Sequence, residues 1–143
     1  MFFEKHWRFK LDADFQYSTQ LLSGVEFKNL WVEIKDGLIT IKKNYAWDGC
    51  SPAYKLHLGK FLPQGLWFGT WDGPLNTNCL PVTHRAALVH DVLCQFRLEI
   101  DITKETSVGI FKELLILDNT PNWICRIYPT VVSLFGPQNW KKK

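Results

Sequence analysis

The stretch Leu30-Trp31-Val32-Glu33-Ile34-Lys35-Asp36-Gly37-Leu38-Ile39-Thr40-Ile41 sets the architecture of the N-terminal third. Apolar and polar residues alternate on both sides of Asp36-Gly37, and Asp-Gly is a strong signal for a two-residue turn because both positions tolerate positive φ. The reading is a β-hairpin, with Leu30, Val32 and Ile34 on one face of its first strand. Trp7, Phe9 and Leu11 alternate in the same way further upstream. From Lys5 to about Cys50 the chain therefore reads as antiparallel sheet.

Downstream of the hairpin the pattern changes. Between Asp48 and Pro81 closely spaced glycines and prolines break any long element, so residues 51–81 read as irregular loops, and a loop of this length in a compact domain is often functional. Ala46-Trp47-Asp48-Gly49-Cys50 is echoed by Thr70-Trp71-Asp72-Gly73-Pro74. The ordinary explanation is that Asp-Gly turns the chain while Trp anchors it. The sharper one brings Asp48 and Asp72 to a shared pocket.

From Val82 the period is helical. Thr83 is placed to cap a first helix through its hydroxyl, with Ala87, Leu88 and Val92 on its apolar side. Thr103 or Asp101 caps a second, whose packed face is Ile110, Phe111, Leu114, Leu115 and Leu117, ending near Asp118-Asn119. Pro121 starts a third that Gly136-Pro137 stops, and Pro129 within it predicts a kink or a split. The expectation is a single α+β domain over 1–143: an N-terminal antiparallel sheet over about 1–50, a loop-rich centre, and a C-terminal layer of two to three helices over 82–140.

Composition narrows the function classes. The chain of 143 residues is 46% hydrophobic with seven tryptophans, ample for one core, and its 17 basic and 14 acidic residues are interspersed apart from Lys141-Lys142-Lys143. This gives no strong nucleic-acid signal, for which a basic stripe is required. The terminal lysines read as a frayed, solvated end, with contact to anionic lipid or RNA as the alternative. No run is apolar enough for a transmembrane segment, and the first residues lack a secretory h-region. Cys50, Cys79, Cys94 and Cys125 form no C-x-x-C pair, which fits free thiols in a reducing cytoplasm, with two disulfides as the alternative.

One cluster has no obvious packing purpose. Thr83-His84-Arg85-Ala86-Ala87-Leu88-Val89-His90-Asp91-Val92-Leu93-Cys94 sets imidazole, carboxylate and thiol in an otherwise apolar helix. Burying such groups without partners costs several kcal/mol, so they pair with one another or serve a ligand. His90 and Cys94 are neighbours one turn apart, and His84 and Asp91 share a stripe. His90 and Asp91 diverge by roughly 100°, which favours a division of roles over a joint grip on one ion. Three readings follow. The polar groups are satisfied structurally, with Asp91 paired to His84 or Arg85. Alternatively, one divalent metal ion is held by His90, Asp48 and Asp91, with Asp72 as a substitute for Asp48. In the third, His90 is general base for a water or for Ser51, oriented by Asp91 or Asp48.

The same residues carry a resemblance. Tyr45-Ala46-Trp47-Asp48-Gly49-Cys50-Ser51-Pro52, Arg85-Ala86-Ala87-Leu88-Val89-His90-Asp91-Val92-Leu93-Cys94, Phe111-Lys112-Glu113-Leu114-Leu115, and Tyr128 with Gly136 before Trp140 resemble a family of small phage and prophage proteins known as domain of unknown function 1353. The resemblance covers about the C-terminal two-thirds and implies a phage origin, but no reaction. The chain departs from the family pattern at Cys94, where tyrosine is usual, and at Val108, where the next helix carries aspartate. The second departure weakens the metal reading.

Two functions follow as expectations. One is a phage-encoded soluble hydrolase-like protein whose pocket joins the Asp48–Pro52 loop to His90 and Asp91. The other is a non-enzymatic binding protein, a virion assembly factor or an inhibitor of a host process, contacting a host or phage protein through Trp67, Phe68 and Trp71. Either acts in the host cell cytoplasm, with virion association the alternative.

Overall fold

The computed structural model describes residues 9–47, 54–56, 66–68 and 83–142. It shows an α+β arrangement, an N-terminal four-stranded antiparallel sheet followed by three helices. Strand β1 (Phe9–Lys10) pairs with β6 (Ala46–Trp47), and the main sheet is built from β2 (Phe15–Ser18), β3 (Phe27–Lys28), β4 (Val32–Lys35) and β5 (Leu38–Ile41) in the order β2-β5-β4-β3.

The Asp36-Gly37 hairpin forms as the sequence predicts. Lys35 pairs with Leu38 and Ile34 with Ile39, and both turn residues have positive φ, 51° and 77°, the combination of a type I′ turn. Thr19 N–H donates to the Gly37 carbonyl at 2.9 Å, so the neighbouring chain lies against the turn. A Cβ on Gly37 would sit 3.0 Å from the Thr19 carbonyl oxygen, and glycine is required there for space as well as conformation.

Leu30 departs from expectation. It lies 79% exposed outside β4 because the chain turns at Asn29, whose side-chain oxygen accepts from the N–H groups of Trp31 and Val32, both at 2.8 Å. That turn makes β3 and β4 a second hairpin, with Phe27 opposite Ile34. A further difference lies in the central region expected to be irregular loop, where β7 (Tyr54–Leu56) and β8 (Leu66–Phe68) pair antiparallel.

The helices are α1 (His84–Gln95), α2 (Lys104–Leu117) and α3 (Asn122–Phe135). Val32, Ile34, Ile39 and Ile41 of the sheet join Leu88, Val92 and Leu93 of α1, and Ile110, Phe111, Leu114 and Leu115 of α2, in one hydrophobic cluster. Residues Ala86 to His90 and Val92 to Cys94 are all buried, so α1 is enclosed on nearly every side.

End chemistry follows the sequence only in part. Thr103 caps α2, its hydroxyl accepting from Thr106 N–H at 3.0 Å. Thr83 makes no side-chain capping bond to α1, and its carbonyl instead receives Ala87 N–H at 2.8 Å. Leu117 is 56% exposed and off the packed face, since α2 ends there at the Asp118 C-cap. Pro129 does not split α3, which runs unbroken to the Gly136 cap. The last described residues are pinned rather than frayed: Lys141 N–H donates to the Arg97 carbonyl at 3.1 Å, and the buried Trp140 indole N–H donates to the Pro137 carbonyl at 2.8 Å.

Candidate functional site

Enclosure of α1 fixes the chemistry of its histidine. His90 is 4% exposed, its ring edge-on to Phe111 with centroids 5.4 Å apart and its Nε2 3.5 Å from Cys94 Sγ. Burial pulls its pKa down from 6.5 to about 4, because a charged imidazole would lose its hydration on entering the core. At neutral pH His90 is an uncharged ring packed between α1 and α2.

Cys94 is equally quiescent. Burial, reinforced by the Asp91 carboxylate, pushes its thiol up to about 12, with Arg97 opposing. A thiol that keeps its proton is neither nucleophile nor ready metal ligand. Both Cys94 and Cys125 are free thiols.

Asp91 has a different outlook. Half-buried with one carboxylate oxygen enclosed, it lies near enough to Tyr45 to help hold the phenol proton on; burial is the larger cause, and Cys94 adds to it. The Tyr45 hydroxyl donates to Gln95 Oε1 at 2.7 Å. Asp91 thus shares a neighbourhood with Tyr45, Cys94 and Gln95, at the root of the segment that continues through Trp47 to Asp48. Arg85, one of the two partners that the sequence suggests for it, turns elsewhere, to Asp118.

The other predicted site residues are distributed as follows. Asp48, Ser51, Asp72 and Trp71 lie outside the described residues, as do Cys50 and Cys79. Trp67 and Phe68 belong to β8, opposite Lys55 and Tyr54 respectively. Among the described residues no group of three or more His, Cys, Asp or Glu side chains is placed to hold a metal ion. Val108 packs against the core, and Glu105 is exposed.

A second polar cluster escapes sequence reasoning. The Tyr17 hydroxyl donates to Glu113 Oε1, and its proton is held by burial first and by Glu113 second. Arg85 Nε donates to both Asp118 oxygens at 3.0 and 3.1 Å, and its NH2 group reaches Oδ1 as well. These partners are 96 and 33 residues apart, and no local spacing could have announced them.

Large apolar side chains are exposed in several places, Leu30 at 79% and Leu98 at 58% among them. Leu134 is 66% exposed, Ile127 50% and Trp123 42%, all on α3, with Ile116 and Leu117 beyond 50% at the end of α2. No helix among the described residues is long and apolar enough to cross a membrane. Comparison with protein-family models, curated proteins and solved structures returned no match to this chain, so the phage-family resemblance stands on its motifs alone.

Proposed function

We propose that this chain is a non-enzymatic binding protein of phage origin, an assembly factor or an inhibitor of a host process, acting in the host cytoplasm. The observation that carries the binding reading is the outward face of α3, where Trp123, Ile127 and Leu134 are 42%, 50% and 66% exposed, because large apolar side chains exposed together on one face mark an interaction surface. The His-Asp motif of α1 then has a structural explanation: His90 fills a space against Phe111 that an apolar ring would also fill. The phage context rests on the motif resemblance. Trp67, Phe68 and Trp71, the contact surface expected from composition, are not needed for this reading.

The test is allele replacement at the native locus. Ile127→Glu with Leu134→Glu should leave the purified protein folded, since both side chains face solvent, yet reproduce the phenotype of a gene deletion. A wild-type phenotype from this double variant would reject the reading.

A hydrolase-like pocket has one observation in its favour, the placement of Asp91 beside Tyr45 at the root of the Asp48–Pro52 segment. In that reading Asp91, not His90, is the acid–base group, with Asp48 and Ser51 as its partners and any divalent metal ion held from the same side. Asp91→Asn should then abolish the phenotype with thermal stability kept, whereas an unchanged phenotype removes Asp91 from any chemistry.

A further inference from the structure

Strand β3 is an outer edge of the main sheet: it pairs with β4 on one side, and no described strand pairs with it on the other. The ladder fixes which backbone groups point outward. Phe27 lies opposite Ile34 and Lys28 opposite Glu33, and Asn29 N–H donates to the Val32 carbonyl at 2.9 Å. Antiparallel pairs alternate between bonded and non-bonded, so Phe27 turns its N–H and C=O toward β4. In a trans peptide the neighbouring N–H and C=O oppose each other, and the Glu26 carbonyl and the Lys28 N–H and carbonyl therefore point away from the sheet. The side chains of Glu26 and Lys28 are both exposed. Lys28 meets Glu33 across the ladder at 3.8 Å, its side chain 77% exposed, and the same register continued by one residue sets Glu26 opposite Lys35. These four charged side chains line an open recess with Phe27 and Ile34. Phe27 itself packs against Phe96, ring centroids 6.2 Å apart, which holds the edge in place.

We infer that β3 pairs edge to edge with β3 of a second copy, antiparallel about a two-fold axis through Phe27, joining two four-stranded sheets into one. In that register the Lys28 N–H donates to the partner's Glu26 carbonyl, and the reciprocal bond forms across the axis. Charge complementarity selects this occupant. Charged edge strands ordinarily keep copies apart. Glu26-Phe27-Lys28 reversed upon itself instead sets Glu26 opposite the partner's Lys28, and Lys28 opposite the partner's Glu26. Each row across the joined sheet then runs Lys35, Glu26, the partner's Lys28, the partner's Glu33, with signs alternating throughout. A slip that brought Lys28 opposite the partner's Lys28 would set like charges face to face, so the register is specified along with the partner. None of these residues belongs to the α3 face on which the binding reading rests.

Sedimentation velocity of the full chain over a concentration series is the test. A monomer–dimer equilibrium is expected, weakened by added salt. Lys28→Glu sets two acids face to face at both positions, and Glu26→Lys two bases. Each should weaken dimerisation by about tenfold or more, with the circular dichroism unchanged because both side chains are exposed. An equimolar mixture of the two variants should dimerise again, since opposite charges meet once more in the mixed pair. A chain monomeric up to about 1 mM would overturn the proposal and leave the α3 reading untouched. A dimer indifferent to both variants, or a mixture that fails to recover, would also overturn it. So would a dimer broken by Ile127→Glu with Leu134→Glu but not by Lys28→Glu, which would move self-association to α3.

Discussion

Arg85, in the first turn of α1, grips Asp118, the C-cap of α2, through a forked contact in which Nε lies 3.0 and 3.1 Å from the two carboxylate oxygens. The pair joins one helix's beginning to the next helix's end, and the hydrogen bond to Asp118 raises the guanidinium's already high pKa further. The same polar seam includes Tyr17 and Glu113, which connect sheet to α2. Helix register here is therefore set by side chains far apart in sequence.

The Arg85 side chain is 42% exposed, so water and salt screen the pair, and Asp118→Ala should cost only about 1 kcal/mol. Urea denaturation at low and high salt checks this. A difference between variant and wild type that shrinks with salt is expected, and a salt-independent loss would assign Asp118 a capping role instead.

His90 makes stability pH-dependent. In the unfolded chain it takes a proton near 6.5, and in the folded chain only near about 4. Between these values the unfolded state binds more protons, so the stability present above pH 6.5 is lost as pH falls toward 4, by roughly 3 kcal/mol at most. Denaturation midpoints measured between roughly pH 5 and 7, a window around the unfolded value, should fall with acid in the wild type and fall less steeply in His90→Leu.

Buried and protonated, Cys94 should resist alkylation in the native protein. Cys125 is half-buried, with its thiol raised mainly by burial and lowered again by Lys112, and should react sooner. Peptide mapping after a timed pulse of iodoacetamide distinguishes the two sites, and equal labelling before denaturation would contradict the enclosure of α1.

Gly37→Ala should destabilise by about 2 kcal/mol, because φ of 77° strains any side chain and the new Cβ would press on the Thr19 carbonyl. Thermal melting gives the loss directly. Gly24, with φ of 78° but open space around it, should suffer the smaller loss from the same substitution.

Much of the fold is legible in the sequence because its signals are local. Asp36-Gly37, the Thr103 cap and the Gly136 stop each act within a few residues, and each forms as its sequence predicts. Leu30 falls outside its expected strand because alternation alone ignores Asn29, whose side chain bends the backbone before the strand begins. Pro129 would interrupt an isolated helix, yet packing of Ile124 and Val132 on the core holds α3 through the missing N–H. The α1 cluster is legible as a cluster but not in its orientation. His84, Asp91 and Gln95 mark a narrow polar stripe from which His90 diverges by roughly 100°, and the ring that His90 meets, Phe111, comes from another helix that no local spacing announces. Asp48 and Ser51 lie outside the described residues, and the exposed face of α3 is hidden from sequence reasoning because nothing in its composition separates an outward leucine from an inward one.

Eight of the twelve positions in α1 are buried, leaving His84, Arg85, Asp91 and Gln95 with access to water. Viewed as a map of evolutionary latitude, this helix is a nearly frozen word in the chain's vocabulary: drift is confined to four letters, while changes elsewhere in it must be compensated at once by the sheet and by α2. Homologues that diverge freely on the surface should therefore still spell this segment almost alike, for reasons of volume rather than of chemistry.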